Sequence, residues 1–367
     1  MSRLLILIIL AAVPAFSHIP AERWKQDDRT TIKLSGQQLA DAVRRVAIVN
    51  DAGWYWAVAR DGYEKRPFDT SRQASWAFFP LHPLLWRQAA AITGEWIWSG
   101  VLVANLSFLL ALVLLWRLVL NLTDNPRLAD SAVVFACFWP ATYFMSLPHT
   151  EPLFFALVCA SMLAGSYRSW GFAGTLGAFA SAARFNGIFL APAFAAVWLR
   201  GERRLRDLIA LAPIAGGLIA YMAYLWLITG NPLAFKDIQV AWGRQLTVPW
   251  SALLQYLSHP HKIVRPWNPE ILNFSAAILA IASVVTCWRK GWRDMAIFTG
   301  LTLLAPLSTG TLTSMTRYLS VAPGMFLALA VWTEGWPRLG QMLTAGFCIA
   351  LAIMCILFVL GSNIAGA

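Results

Sequence analysis

The chain has 367 residues, of which 58% are hydrophobic and only 13% are charged. Soluble domains are roughly 45–50% apolar and about 25% charged, so the composition excludes an ordinary soluble enzyme and indicates a polytopic membrane protein. The net charge of +11 is explained by loop arginines that set membrane orientation, and no nucleic-acid partner is expected.

The N-terminal region begins with a short apolar run, Leu4 to Phe16, behind an arginine. This run fits a first span or an uncleaved signal anchor. A cleaved signal peptide also fits, because residues 15–17 have the small-x-small pattern. Residues 18–50 are mostly polar, and apolar side chains at helical spacing predict a helix from about Ser35 to Val49 that lies on a membrane surface.

Long apolar runs fill the rest of the chain, and a span needs about 20 apolar residues. After the first run, they cover about 97–121, 130–147, 152–167, 171–199, 208–229, 271–288, 295–310, 315–333 and 341–361. The run 171–199 has a charge in its middle, so it is either one long tilted helix or two short helices that break there.

Charge favours the two-helix alternative. The densest short basic loop holds Arg200, Arg203, Arg204 and Arg206 and is therefore expected in the cytoplasm. If the chain crosses the membrane twice within 171–199, counting the spans back from this loop puts the N-terminus in the cytoplasm. We therefore expect an all-α membrane domain over residues 1–367 with about eleven spans. Its external loops are expected at 18–96 and 230–270.

The stretch 50–87 concentrates charges, aromatics and prolines between two apolar runs, and its Asp51 is the first candidate for chemistry. A carboxylate there fits a general base. It equally fits an N-cap of a helix over Ala52–Arg60 that ends at Gly62. Asp61 is the rival carboxylate, but its place before a glycine is typical of a turn.

Two further charged positions stand out. Glu151 precedes a proline, so it fits a helix start, or else a second carboxylate that binds sugar hydroxyls or orients a cation. His149 beside it is expected at the surface. Arg184 lies inside an apolar run and needs a partner. A lipid phosphate or Glu151 across a helix pair would serve, and snorkelling to the outer surface is the alternative.

Five segments in chain order resemble the PIG-V family of mannosyltransferases, which are membrane enzymes with the GT-C fold. They read DAGWYWAVARDGY with FFPLHPLL, PHTEPLFFAL, ARFNGIFLAP, GNPLAFKDIQVAWGR and SMTRYLSVAPGMFLALA. One departure is His82, where the family usually has an aromatic residue.

The resemblance implies a glycosyltransferase that moves mannose from a polyprenyl-phosphate carrier to an acceptor hydroxyl of a glycolipid or glycan outside the cytoplasm. It places the catalytic acid of the first external loop at Asp51. It implies neither a cofactor nor a metal. A bacterial cytoplasmic membrane is the expected location, or the endoplasmic reticulum membrane if the source is eukaryotic.

The remaining candidates are expected to bind the donor or the acceptor. Guanidinium groups suit a phosphate leaving group, aromatic rings suit a sugar face, and membrane anchoring is the alternative for both types. The full set is Trp54, Tyr55, His82, Glu151, Arg184, Asn186, Lys236, Gln239, Trp242, Arg244, Arg317 and Tyr318.

Two other classes of protein compete with a transferase. A multi-pass transporter or lipid flippase places charges near the bilayer midplane, often on broken helices in two related halves. Here the charges are expected at the outer boundary, and no repeated half is seen in the sequence. A membrane scaffold without activity would leave the outer polar cluster unexplained.

Overall fold

A computed structural model of the chain describes residues 2–16, 43–44, 46–258 and 270–360. These ranges hold α-helices, short 3-10 helices and connecting segments, without a strand. Most of the expected surface helix over 35–49, the possible cleavage site and part of the loop 230–270 lie outside them. The α-helices are α1 Ser2–Phe16, α2 Asp51–Asp61, α3 Leu81–Thr93, α4 Trp96–Thr123, α5 Pro126–Phe138, α6 Glu151–Ser166, α7 Trp170–Ala183, α8 Leu190–Trp198, α9 Leu205–Leu211, α10 Gly216–Thr229, α11 Ala234–Asp237, α12 Ser251–Ser258, α13 Glu270–Arg289, α14 Arg293–Leu307, α15 Met315–Leu319, α16 Pro323–Thr333 and α17 Pro337–Val359.

Within the described residues, four helical stretches are long and apolar enough to cross a membrane, which marks the chain as a membrane protein. They are α4, α13, α17 and the stretch Leu205–Thr229 that contains α9 and α10. Three shorter apolar stretches accompany them at Glu151–Ser166, Phe185–Trp198 and Pro323–Thr333. Eleven spans therefore remain a prediction, because several of the apolar runs form helices of 11–16 residues that are shorter than one full span.

The segment 171–199 reverses direction at Arg184. Helix α7 ends at Ala183, and Arg184 adopts extended backbone at φ −152° and ψ 148°. The ring of Phe194 in α8 lies 6.0 Å from that of Trp170 at the start of α7. One continuous helix would separate these residues by about 36 Å. A Cβ at Gly187 would lie only 2.3 Å from the backbone nitrogen of Ser181, so the returning chain packs against α7 where only glycine fits.

Helices α4 and α6 run side by side in the same direction, because their C-terminal ends meet where Asn121 donates to Ser166 at 2.9 Å. Near the other end, Asn105 donates to the carbonyl of Ser146, at 3.1 Å. Asn105 lies about 13 Å along α4, at roughly 1.5 Å per residue. The segment that leads into α6 therefore lies beside the interior of α4 and not beside its first turn.

Arg3 is part of the bundle and not a loop charge. Its guanidinium donates to the Thr142 carbonyl at 3.0 Å and to the Ser146 hydroxyl at 2.6 Å. The same group lies 4.6 Å from the ring centroid of Phe108 in α4. Because Arg3 is held by helix-connecting backbone inside the protein, it gives no support to a cytoplasmic N-terminus, and the assignment of sides rests on the other basic loops.

The segments that precede α3 and follow α10 pack together as a separate small core. It is formed around Trp76, Phe79, Tyr221 and Phe235. The hydroxyl of Tyr221 in α10 donates to the Trp76 carbonyl at 2.8 Å. This packing ties the loop after α10 to the segment between α2 and α3.

Candidate active site

Asp51 is the first residue of α2 and not its N-cap. The N-cap residue is Asn50, at φ 57°, and its side chain makes no capping hydrogen bond. Oδ2 of Asp51 instead accepts a hydrogen bond from Nη1 of Arg317 at 2.6 Å. The Asp51 side chain is 35% exposed, so the carboxylate is fixed by Arg317 and still accessible at the protein surface. The expected helix end at Gly62 is observed, with φ 84°.

Glu151 joins two arginines inside the protein. Its Oε1 lies 2.6 Å from Nε of Arg317 and 2.6 Å from Nη1 of Arg184, and its side chain is fully buried. Together with Asp51, these groups form a continuous line of two carboxylates and two guanidinium groups, which we call the ionic chain: Asp51, Arg317, Glu151 and Arg184. Buried charges require such partners, since an unpaired one costs several kcal/mol.

The structure shows the helix start at Glu151 and the partner of Arg184. Glu151 does begin a helix, with Pro152 in its first turn, but Thr150 caps nothing and donates its hydroxyl hydrogen bond to the Ala183 carbonyl at 3.1 Å. Arg184 does not snorkel to the surface, because Glu151 across a helix pair is its partner, as one of the sequence alternatives predicted.

Arg317 lies in the short helix α15, and neighbouring segments hold this helix through the residue before it, Thr316. Asn273 in α13 accepts hydrogen bonds from the backbone nitrogen and the hydroxyl of Thr316, at 2.9 and 2.7 Å. Trp139 donates its indole hydrogen bond to the Thr316 carbonyl at 2.7 Å. The guanidinium carbon of Arg317 also lies 4.3 Å from the ring centroid of Phe144. These contacts fix the position of Arg317.

An aromatic cluster is built around Trp54 and Tyr55, which follow Asp51 on the same helix. Trp54 stacks on Phe78 with ring centroids 5.7 Å apart, and Trp242 from the loop after α11 meets both rings edge-on at 6.0 Å. Tyr55 is buried and packs against Phe78 and His82, with ring centroids 5.1 and 5.3 Å apart. Trp54 and Trp242 are half-buried and so keep ring surface for a ligand, whereas Tyr55 belongs to the supporting core.

The loop after α10 brings further candidates toward the ionic chain. Arg244 donates to the Gln239 side-chain carbonyl at 3.0 Å, and its guanidinium carbon lies 6.0 Å from the ring centroid of Tyr318. Lys236 is exposed and Asn186 is half-buried. In the described part of the chain, no hydrogen bond or ion pair joins either of these two to the ionic chain.

Two histidines lie next to the ionic chain, and both are fully buried. The expectation that His149 lies at the surface is therefore wrong, because the helix packing encloses the turn that carries it. Its ring meets that of Phe144 at 5.0 Å. Burial lowers the pKa of His82 to about 4, partly offset by the nearby Pro148 carbonyl. Burial, reinforced by the charge of Arg317, lowers the pKa of His149 to about 3, so both are neutral at pH 7.

Sequence reasoning did not select His149 or Phe144 as site residues. The sequence shows only that both residues lie shortly before Glu151, and this position alone does not identify a site residue. Among the described residues, no group of three or more His, Cys, Asp or Glu side chains has an arrangement that could hold a metal ion.

An apolar cavity of about 350 Å³ lies between α2, α3, α7 and α10. Val58, Pro83, Ala182, Tyr221 and Tyr224 are among its lining residues. Ala182 lies two residues before Arg184. The volume falls within the range of small-molecule sites, roughly 300–1,000 Å³.

Comparisons with known proteins add little to this picture. No protein-family model matches the chain, and no curated protein matches its sequence. Among solved structures, the oligosaccharyltransferase of Archaeoglobus fulgidus is similar in its apo form, with a TM-score of 0.46 and 12% identity over 99% of this chain and 56% of that one. The same enzyme tethered to an acceptor peptide with an NVT sequon gives 0.46 and 11%, over 99% and 55%. This chain thus spans about half the length of that enzyme.

Proposed function

We propose that the chain is a membrane glycosyltransferase of the GT-C type that moves mannose from a polyprenyl-phosphate-mannose donor to an acceptor hydroxyl of a glycolipid or glycan. The reaction takes place on the extracytoplasmic side, with Asp51 as general base. The observation that carries the proposal is the accessible carboxylate of Asp51, fixed by Arg317 at 2.6 Å at the outer end of a buried ionic chain. The five motifs that resemble PIG-V enzymes give the substrate class.

The proposed reaction needs one base. The acceptor oxygen forms a bond to the anomeric carbon of the sugar, and its proton passes to the Asp51 carboxylate. The bond from the anomeric carbon to the phosphate oxygen breaks, and its electron pair stays on the phosphate, so the configuration inverts. A phosphate leaving group needs no proton, which is why one carboxylate suffices where glycoside hydrolysis uses two.

The environment of Asp51 supports this role. Arg317 holds one carboxylate oxygen and so fixes the orientation of the base, which favours a productive approach of the acceptor. Trp54, one turn further along α2, and Trp242 offer ring faces beside it, which suit the apolar face of a sugar. The rest of the ionic chain, Glu151 and Arg184, holds Arg317 in the position from which it contacts Asp51.

A transporter or flippase is the second candidate, because one observation favours it. The chain reverses at Arg184 between two short helices, and broken helices that meet at charged groups are typical of transporter sites. Against this, Arg184 is already paired with Glu151 at 2.6 Å, so the reversal does not leave an open ion site.

The test is direct product analysis. Purified protein in lipid nanodiscs is incubated with radiolabelled polyprenyl-phosphate-mannose and a membrane lipid extract, and the labelled product is identified. We expect the label in a new glycolipid or glycan. A parallel incubation with polyprenyl-phosphate-glucose reports on the sugar. Donor translocation in proteoliposomes without any new product would support the transporter instead.

A further inference from the structure

Two arginines from distant parts of the chain share one aromatic ring. The guanidinium carbon of Arg184 lies 5.8 Å from the ring centroid of Tyr318, and that of Arg244 lies 6.0 Å from it. Arg184 belongs to the reversal after α7, and Arg244 to the loop after α11. The reversal also contacts α11, which leads into that loop, because Phe185 and Phe235 of α11 have ring centroids 5.9 Å apart.

The charge of this pair is only partly compensated. In the ionic chain, two carboxylates balance the two guanidinium groups of Arg317 and Arg184. The hydrogen-bond partner of Arg244 is the neutral side-chain amide of Gln239, at 3.0 Å. Arg244 therefore adds a net positive charge beside a balanced network, and such a site attracts an anion.

Arg317 is a poorer candidate for the same anion. Its Nε and Nη1 atoms are already engaged by Glu151 and Asp51 at 2.6 Å each, and its side chain is only 7% exposed. A guanidinium binds phosphate best with two parallel N–H groups on one edge. The Arg184 side chain is 15% exposed, and Arg244 and Tyr318 are half-buried, so this pair remains reachable.

We infer that Arg184 and Arg244, held against Tyr318, form the binding site for the phosphate of a lipid phosphate. The inference rests on the proposed function and assigns the leaving-group site within it. Ala182, two residues before Arg184, lines the apolar cavity between α2, α3, α7 and α10. This apolar surface supports a phosphate that carries a hydrocarbon chain over free inorganic phosphate.

The experiment measures binding without any sugar transfer. Farnesyl phosphate is titrated into the full-length protein in nanodiscs, with tryptophan fluorescence as the readout, and farnesol and inorganic phosphate are titrated in parallel. Arg244→Gln is expected to weaken farnesyl phosphate binding by about ten- to a hundredfold, the effect of one charge-assisted contact. It should leave farnesol binding unchanged. Inorganic phosphate should bind more weakly than farnesyl phosphate.

Arg60→Gln is the matched control, because it removes an equal charge from an exposed arginine on α2 that is paired with Asp61 at 2.7 Å. It should bind farnesyl phosphate like the wild type. Equal binding by Arg244→Gln and wild type, or an equal loss in Arg60→Gln, would overturn the inference. If binding follows the expectation while no glycosyl product forms, the phosphate site stands and the proposed transferase activity fails.

Discussion

Replacing Arg317 by methionine removes the group that joins the two carboxylates of the ionic chain. Methionine keeps much of the apolar stem, so the change tests the charge more than the volume. Arg317 spans 266 positions to reach Asp51 and 166 to reach Glu151. The two contacts therefore tie three remote segments together, and their loss should weaken both stability and activity.

The magnitude follows from the burial of each contact. Breaking a buried ion pair on one side costs about 3–5 kcal/mol, but Glu151 keeps Arg184 at 2.6 Å. Asp51 is partly exposed, so its contact is screened and contributes less. We therefore expect a loss near the lower bound, roughly 3 kcal/mol. Arg317→Lys should recover only part of it, because a compact ammonium lacks the rigid fork that reaches both carboxylates.

The assay is thermal unfolding in nanodiscs, read from the remaining monodisperse protein after heating. Arg317→Met should melt several degrees below the wild type. The control variant Arg60→Met should melt at the same temperature as the wild type. The double variant Arg317→Met/Glu151→Gln should lose less stability than the sum of the losses in the two single variants, since groups in contact are not independent. Wild-type stability in Arg317→Met, or strict additivity in the double variant, would refute the idea that Arg317 binds the carboxylates together.

Two further predictions test the topology and the buried histidines. Cysteines placed at the exposed positions Gln73 and Gln255 should react with an impermeant reagent in intact cells, and reaction only after permeabilisation would reverse the assigned sides. In the folded protein, burial lowers the pKa to about 4 for His82 and to about 3 for His149. In the unfolded chain, a histidine has a pKa of about 6.5, so below this pH the unfolded chain binds protons that the folded protein does not. Melting temperature should therefore fall as pH drops from 6.5 to 5, and less steeply in the variant His82→Gln/His149→Gln; equal slopes would contradict the burial of two neutral histidines.

Part of this site was readable from the sequence. A charge inside an apolar run must find a partner, and Glu151 is one of the two partners that the sequence offers for Arg184, beside a lipid phosphate. The charge in the run 171–199 leaves one long helix and two short helices open. The basic loop that follows favours two helices, and the structure shows a chain reversal there.

The rest depends on contacts between distant segments. Nothing near Asp51 indicates that Arg317 will hold it, because the pairing is set by the packing of α15 against α13 and Trp139. The burial of His149 also follows from tertiary packing and not from the polar sequence around it. The sequence does not give the number of full-length spans for a related reason, since an apolar run shows that a segment is buried but does not show where its helix ends.

Helix capping shows a third kind of limit. The sequence offered Asp51 as either cap or base, because aspartate serves both purposes equally well. The structure excludes the cap, because Asn50 is the N-cap residue and Asp51 begins the helix, and it shows Oδ2 of Asp51 2.6 Å from Arg317. Only the structure supplies such a contact.

The most direct test of the account is sugar transfer by Asp51→Asn. Asparagine keeps the size of the side chain and an oxygen that can accept from Arg317, but it cannot take a proton. We expect the variant to fold and to melt near the wild type, yet to transfer mannose from polyprenyl-phosphate-mannose about 10²- to 10⁴-fold more slowly. The control, Asp61→Asn, changes an exposed carboxylate whose pKa is lowered by its hydrogen bond to Arg60 and should stay active. Transfer by folded Asp51→Asn at the wild-type rate would contradict the central claim and would move the search for the base to Glu151.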